Sequence, residues 1–262
     1  MAVKTHLDLE VPGGAGKVLL HACCAPCSSA ILECMLQHGI TPVIFYSNSN
    51  IYPYEEYDHR RTECVRYAEK LGVEMVEDEY DHDAWLQAVK GLEGEPERGG
   101  RCLQCFRFRL GRAAEYARTH GYTVLTTTLA SSRWKNLAQI DAAGAEVCDS
   151  VSPGDRRLHS DEVLRSSVSA GPSAETGYAS AETMPPAACK REGPIRRMGG
   201  MSEAKFRRCI PAQQGVPVTW WQQNWRKGGL QERRGEIIRE MDFYNQLWCG
   251  CEFSIRNAKD EK

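Results

Sequence analysis

The chain has 262 residues, 42% of them hydrophobic and 26% charged, with a formal net charge of −2. That length can bury a sizeable core, and the near-neutral balance excludes a general nucleic-acid coat, so a nucleic-acid site has to be a local patch. No apolar run reaches the roughly 18–20 residues that span a bilayer, and the start, MAVKTHLDLEVPGGAGK, has no apolar h-region; a cytoplasmic protein without a membrane partner is expected.

Residues 1–15 read as an N-terminal extension. KVLLHA, at 17–22, is a short apolar run suited to a buried strand. A helical pattern follows over about 27–38, with Ile31, Leu32, Met35 and Leu36 at helix spacing and Gly39 as its close. TPVIFYSN is a second strand, and YEEYDHRRTECVRYAEKLG a helix that stops at Gly72. VEMVEDEY predicts a third strand, with a helix around 81–91 behind it. The turn EGEPERGG leads into a long helix over about 103–120, and YTVLTTTLA is a fourth strand. From 149 to 214 the chain turns rich in Ser, Ala, Gly, Pro and Arg, without sustained periodicity. Such a segment buries too little apolar surface to offset its ordering entropy and reads as a disordered insertion, with a short helix near SEAKFRR. GVPVTWWQQ then predicts a fifth strand, and ERRGEIIREMDFYNQLW a helix that ends at Cys249.

Strands alternating with helices predict an α/β fold, a Rossmann-like, mainly parallel sheet flanked by helices. Residues 16–148 and 215–257 would form one catalytic domain. Functional loops in such sheets lie beyond the carboxyl ends of the strands. CCAPC follows the first strand, SNSNIYPYEEY the second and ASSRWKN the fourth.

Twelve cysteines stand in this chain. In a reducing compartment, clustered cysteines point to metal or redox chemistry rather than structural disulfides. Seven fall into tight groups: Cys23, Cys24 and Cys27; Cys102 and Cys105; Cys249 and Cys251. Cys34, Cys64, Cys148, Cys189 and Cys209 stand singly and read as small hydrophobes or incidental thiols. Iron–sulfur clusters and zinc both take thiolates, usually four, and CxxC is the usual pairwise unit. Seven thiols exceed one four-thiolate site, which suggests a second metal or a neighbouring open position. A radical-SAM CxxxCxxC is absent, because nothing ligating stands at position 30. A thioredoxin-like pair leaves the other grouped cysteines unexplained. The phosphate-binding turn of a PP-loop enzyme is replaced by CCAPCSS, so ATP is not expected. His21 reads as a hydrogen-bonded strand residue. Arg60, Arg61, Arg101, Arg107, Arg109, Arg112, Arg133, Lys135, Arg226, Lys227, Arg233 and Arg234 flank a cysteine group or one of these loops, with Tyr52, Tyr54, Tyr57, Phe106, Trp134 and Trp225 interleaved. Basic residues among aromatics suit a phosphodiester backbone with splayed bases.

The segments LLHACCAPC, FYSNSNIYPYEEYDHRR, RCLQCFRFRL, TTTLASSRWKN and NWRKGGLQERRGEIIREMDFYNQLWCGCEFS are together similar to the QueH-type epoxyqueuosine reductases. The resemblance covers about 16–147 and 216–257 and rests on three Cys motifs and two loop signatures agreeing in order and spacing. It implies reduction of epoxyqueuosine to queuosine at the wobble position of tRNA, with an external electron donor. It also implies a [4Fe-4S] cluster and one additional mononuclear iron, held by Cys23, Cys24, Cys27, Cys102, Cys105, Cys249 and Cys251. Some family members carry Asp where Cys27 stands, which implies that this position ligates the single iron. The tRNA with its queuosine-type anticodon would lie across Arg60, Arg61, Arg133, Lys135, Arg226 and Lys227. Tyr57, Glu56 and Asp242 are proton-donor candidates by their place near the signature loops. The resemblance implies no counterpart in the family for the 149–214 interval. Two other readings of the residues are a zinc-stabilised RNA-binding module without catalysis and another iron–sulfur tRNA modification such as thiolation.

Overall fold

A computed structural model describes residues 7–14, 17–149, 215–246 and 248–254 of the chain. The elements run β1 (Val18–Ala22), α1 (Ala25–Gln37), β2 (Val43–Tyr46), α2 (Tyr54–Leu71), β3 (Met75–Glu77) and α3 (His82–Ala88). They continue with α4 (Gly100–Thr119), β4 (Val124–Thr127), α5 (Leu137–Asp149), β5 (Thr219–Trp220) and α6 (Leu230–Met241). The five strands form one parallel sheet in the order β3-β2-β1-β4-β5. The predicted Rossmann-like architecture is therefore the observed one. The expected insertion from 150 on, the helix near SEAKFRR, and Cys189 and Cys209 lie outside the described residues.

All five residues of β1 are buried, as a central strand covered on both faces requires. Alternation divides them between two layers. Val18, Leu20 and Ala22 pack with Ile31 and Met35 of α1, Tyr57, Cys64 and Tyr67 of α2, and Leu230 and Ile237 of α6. Leu19 joins Phe45 and Leu125 in packing against Phe106, Leu110 and Ala114 of α4 and Ile140 and Val147 of α5. Each large apolar side chain buried this way contributes about 1.5–3 kcal/mol. The lone thiols Cys34, Cys64 and Cys148 sit inside these layers as small apolar residues.

Three element boundaries differ from the sequence reading. The last helix, predicted to run to Trp248, ends at Met241, because Asp242 adopts φ 50° and ψ 50° and turns the chain out of the helix. The Phe243 N–H closes that turn on Ile238 O at 3.0 Å. The fifth strand shrinks to Thr219–Trp220 at the sheet edge. Helix α5 occupies a stretch to which the sequence reading assigned no element, although Ile140, Ala143 and Val147 supply its buried stripe. By contrast α2 ends as expected, at a left-handed Gly72.

The chain moves outward from β1 to β2 and β3, then returns to the other side of β1 for β4. The crevice between the carboxyl ends of β1 and β4 is thus the topological switch point, where open α/β sheets bind ligands.

Candidate metal centre

At that crevice β1 ends and α1 begins within two residues, and the thiols of Cys23, Cys24 and Cys27 converge. Their three sulfurs lie within 4.8 Å of one another, and Cys23 Sγ is 3.8 Å from Cys24 Sγ. Metal–sulfur bonds of 2.3 Å in tetrahedral geometry place sulfurs about 3.8 Å apart, so the donor set fits one thiophilic ion. Local structure sets this geometry. Cys24 is the extended N-cap of α1, Pro26 sits in the first turn, and Cys27 stands one residue on. The adjacent 3-10 turn, Thr128–Ser131, fastens the group from the side of β4. Thr128 Oγ1 accepts the Cys23 N–H at 3.1 Å and lies 3.4 Å from Cys23 Sγ, while Ser131 Oγ donates to Cys27 O at 3.3 Å.

Cys24 and Cys27 donate to the Cys23 sulfur and hold its pKa well below the ordinary thiol range. The same bonds, together with burial, push Cys24 up. A thiophilic cation bound here would displace protons from the thiols that ligate it.

A second thiol group assembles from α4 and the C-terminal loop. Cys105 and Cys251 pack with Trp85 and Val89, and Cys249 lies against them. The Cys251 thiol donates to Cys249 and lowers its pKa well below the ordinary range, and Cys249 Sγ is 3.2 Å from Ser254 Oγ. Burial pushes Cys102 up to about 11, against the pull of the Arg98 N–H, 3.3 Å from its sulfur, with the nearby Cys249 and Cys105 adding to the rise. Among the described residues, the tight spacing of the first group is not repeated in this one.

Gly250 makes the CxC turn possible. Its φ is +97°, and a Cβ there would come within 2.9 Å of Ile51 Cγ1 and 3.0 Å of an Arg60 guanidinium nitrogen. Its carbonyl accepts the Tyr52 N–H at 2.9 Å, which ties the loop to the one after β2. Lys135 is within electrostatic reach of thiols from both groups, Cys249 of the second and Cys23 and Cys27 of the first. Burial pulls its pKa down, but the charges of Cys249, Cys23 and Cys27 outweigh that and raise it, so the ammonium stays charged beside them.

The residues singled out as RNA contacts divide. Arg60 is only 3% exposed; it bonds Glu56 at 2.6 Å and the carbonyls of Cys249 and Trp248 at 3.3 and 3.4 Å. Its guanidinium clamps the CxC loop. Arg61 pairs with Asp58 and Glu77, each at 2.8 Å. Arg133 and Lys227 are exposed, and Arg226 donates to Lys135 O at 2.7 Å. Arg107 and Arg112 pair with Glu146 and Asp78. Arg109 is buried and donates to Ser47 O and Asn48 Oδ1.

None of the three proton-donor candidates hydrogen-bonds to a cysteine among the described residues. Tyr57 is buried in a ring cluster with Tyr80 at 4.4 Å, and burial pushes its hydroxyl above the ordinary tyrosine range. Glu56 is engaged by Arg60, and Asp242 caps α6. His21 is hydrogen-bonded as the sequence suggested, 2.7 Å from Thr127 Oγ1 and donating to Ser47 O at 3.1 Å.

Several supporting residues escaped the sequence reading: Asn48, whose amide donates to Ala22 O at 2.9 Å, Thr128, Arg98 and Gly250. The run of four buried polar residues, Ser47 to Asn50, was the available signal. So much Ser and Asn directly after an apolar strand marks a loop bonded to the strand ends.

No helix among the described residues is long and apolar enough to cross a membrane. The family model for epoxyqueuosine reductase QueH matches residues 18–166 and 203–257. The epoxyqueuosine reductase QueH of Haemophilus influenzae is 33% identical over 250 residues, covering 95% of this chain and 76% of its own. The protein of the same name from Acinetobacter baylyi is 33% identical over 256 residues, 97% of this chain and 88% of its own. Its Thermotoga maritima counterpart is 25% identical over 249 residues, 94% of each chain. The match spans both thiol groups and the sheet that carries them, and the chain belongs to the epoxyqueuosine reductase QueH family, a family of oxidoreductases.

Proposed function

We propose that this protein reduces epoxyqueuosine to queuosine at the wobble position of a tRNA anticodon in the cytoplasm. The observation that carries the reading is a tight thiol triad at the switch point of the sheet, with a second thiol group near enough that Lys135 is in electrostatic reach of both. Removing the epoxide oxygen to leave an alkene takes two electrons and two protons and releases water. The electrons come from an external donor. Cys102, Cys105, Cys249 and Cys251 would hold a [4Fe-4S] cluster, and Cys23, Cys24 and Cys27 a mononuclear iron. When bound, these groups supply one-electron transfer and a Lewis-acid position for the epoxide oxygen.

The chain's own residues do the rest. The first turn of α1 directs its positive end at the nearest thiolate, which favours the ionised ligand. Lys135 places a cation among thiolates whose summed negative charge would otherwise repel an anionic RNA. Thr128, Ser131 and Asn48 fasten the loops that carry the ligands. Arg133, Lys135, Arg226 and Lys227 form the basic rim for the tRNA backbone. Arg60 serves that role only indirectly, by holding the CxC loop, and Arg61 is occupied by its two carboxylates. Of the proton-donor candidates, Tyr57 follows the loop after β2 in α2, and burial keeps its hydroxyl protonated while making it a weaker acid than an ordinary tyrosine.

The test is anaerobic reconstitution with iron and sulfide, then incubation with epoxyqueuosine-containing tRNA and a reductant. Queuosine in the digested tRNA, from a brown protein absorbing near about 400 nm, is the expected result. An intact cluster without queuosine overturns the reading, and a colourless protein carrying about one zinc points instead to the RNA-binding module.

A further inference from the structure

Trp134 is the most exposed large apolar side chain among the described residues, at 65%. It is held in place rather than trailing. Arg98 Nε donates to Trp134 O at 2.9 Å and its terminal nitrogen to Arg133 O at 3.3 Å. Arg98 itself is fixed: its carbonyl accepts from Gln139 Nε2 at 2.8 Å, and its backbone adopts φ 66°. Its N–H points at Cys102 Sγ, 3.3 Å away. One residue thus links a thiol of the metal centre to the backbone that carries an exposed indole. The next residue after that indole, Lys135, lies within electrostatic reach of Cys23, Cys27 and Cys249. Trp134 therefore stands at the rim of the centre, one residue from its interior.

The surroundings are cationic. The Arg133 guanidinium lies 5.2 Å from the Trp134 ring centroid. Arg98, Arg133 and Arg226 make no ion pair among the described residues, although the Glu97 carboxyl lies within electrostatic reach of Arg98, Arg101 and Lys135. Of the other exposed aromatics, Tyr54 lines a pocket with Glu55, Asp58 and Glu63 as well as Arg66, and Tyr52 stacks on His82. An exposed indole on a backbone held by Arg98, among arginines without ion pairs, is what an unstacked base flanked by phosphates requires, through stacking and cation–π contact.

We propose that Trp134 is a stacking platform for an unpaired base beside the reacting nucleotide of the RNA loop, held at its offset from the thiols by Arg98 as a positioning residue. This rests on the tRNA reading above. The test uses the metal-loaded full chain and an anticodon stem-loop RNA carrying 2-aminopurine next to the wobble position. Wild-type protein quenches the probe. Trp134→Phe keeps most of the quench, while Trp134→Ala loses it and binds about 5- to 150-fold more weakly. Arg98→Ala keeps its backbone N–H and the metal absorbance but raises KM for the tRNA while kcat at saturation is retained. A Trp134→Ala protein that quenches and binds within about twofold of wild type overturns the platform. Binding needs no turnover, so the two readings separate. A wild type that makes no queuosine yet quenches through Trp134 keeps the platform and loses the reductase. A wild type that makes queuosine with Trp134→Ala binding unchanged loses the platform alone.

Discussion

The two thiol groups reach similar chemistry by opposite routes. Cys23, Cys24 and Cys27 come from five consecutive positions at one strand-to-helix junction, so the backbone of that junction places them. Cys102 and Cys105 sit in the first two turns of α4, while Cys249 and Cys251 arrive from a loop beyond α6, well over a hundred residues later. That second group needs external fastening, which Arg60, Gly250 and Arg98 supply. The first group is robust because its geometry is local. The second is conditional on tertiary contacts, and mutations far from any sulfur should reach it.

The largest expected effect separates the groups by content. Cys249→Ala should abolish the visible absorbance and most bound iron after reconstitution, with loss of activity. Cys27→Ala should keep the absorbance, lose about one iron per chain and still lose activity. Iron and sulfide analysis of the two variants checks this, and identical losses would erase the distinction between the groups. Next comes Arg60→Met, which leaves Glu56 unpaired and frees the carbonyls of Trp248 and Cys249. It should cost about 3 kcal/mol in a urea titration and loosen metal at the second group while sparing the first.

Gly250→Ala forces a Cβ against Ile51 and Arg60 at a φ of +97°. A cost of about 1–3 kcal/mol is expected, again with selective loss of cluster absorbance. An unchanged cluster content would show that the CxC turn tolerates repacking.

The effect that emerges only under acid reports on the first group's floor. Burial, then the Arg109 charge, lowers the His21 pKa from 6.5 to about 3, so the fold keeps this imidazole neutral. Between those values the unfolded chain binds a proton that the folded chain refuses. The His21 contribution is therefore complete above pH 6.5 and is lost as the pH falls toward 3, with a slope of up to about 1.4 kcal/mol per pH unit. Denaturant midpoints of the metal-free protein across that range, compared with His21→Gln, should show the slope in the wild type alone.

Much of this was open to reading in the chain itself. The apolar run KVLLHA, the cysteines directly behind it and the α2 stop at Gly72 follow from periodicity and local backbone preference, and the structure places them as read. The over-long last helix shows where such reading fails. DFYNQLW can continue a helix by propensity, yet Asp242 turns left-handed and the following residues cross toward the thiols. Arg60 fails in the same way. Its sequence neighbourhood resembles a basic RNA face, and only the fold shows that its guanidinium is buried on Glu56 and the CxC loop.

The sequence by itself determined the α/β alternation, the three cysteine groups and the compact triad, because each depends on contacts within a turn or two of chain. Only the tertiary structure decided which arginines face solvent, how the CxC loop reaches α4, and that Trp134 is clamped at the rim of the centre. Those depend on pairings between residues far apart in the chain, and no local preference encodes a partner that the sheet order alone brings near.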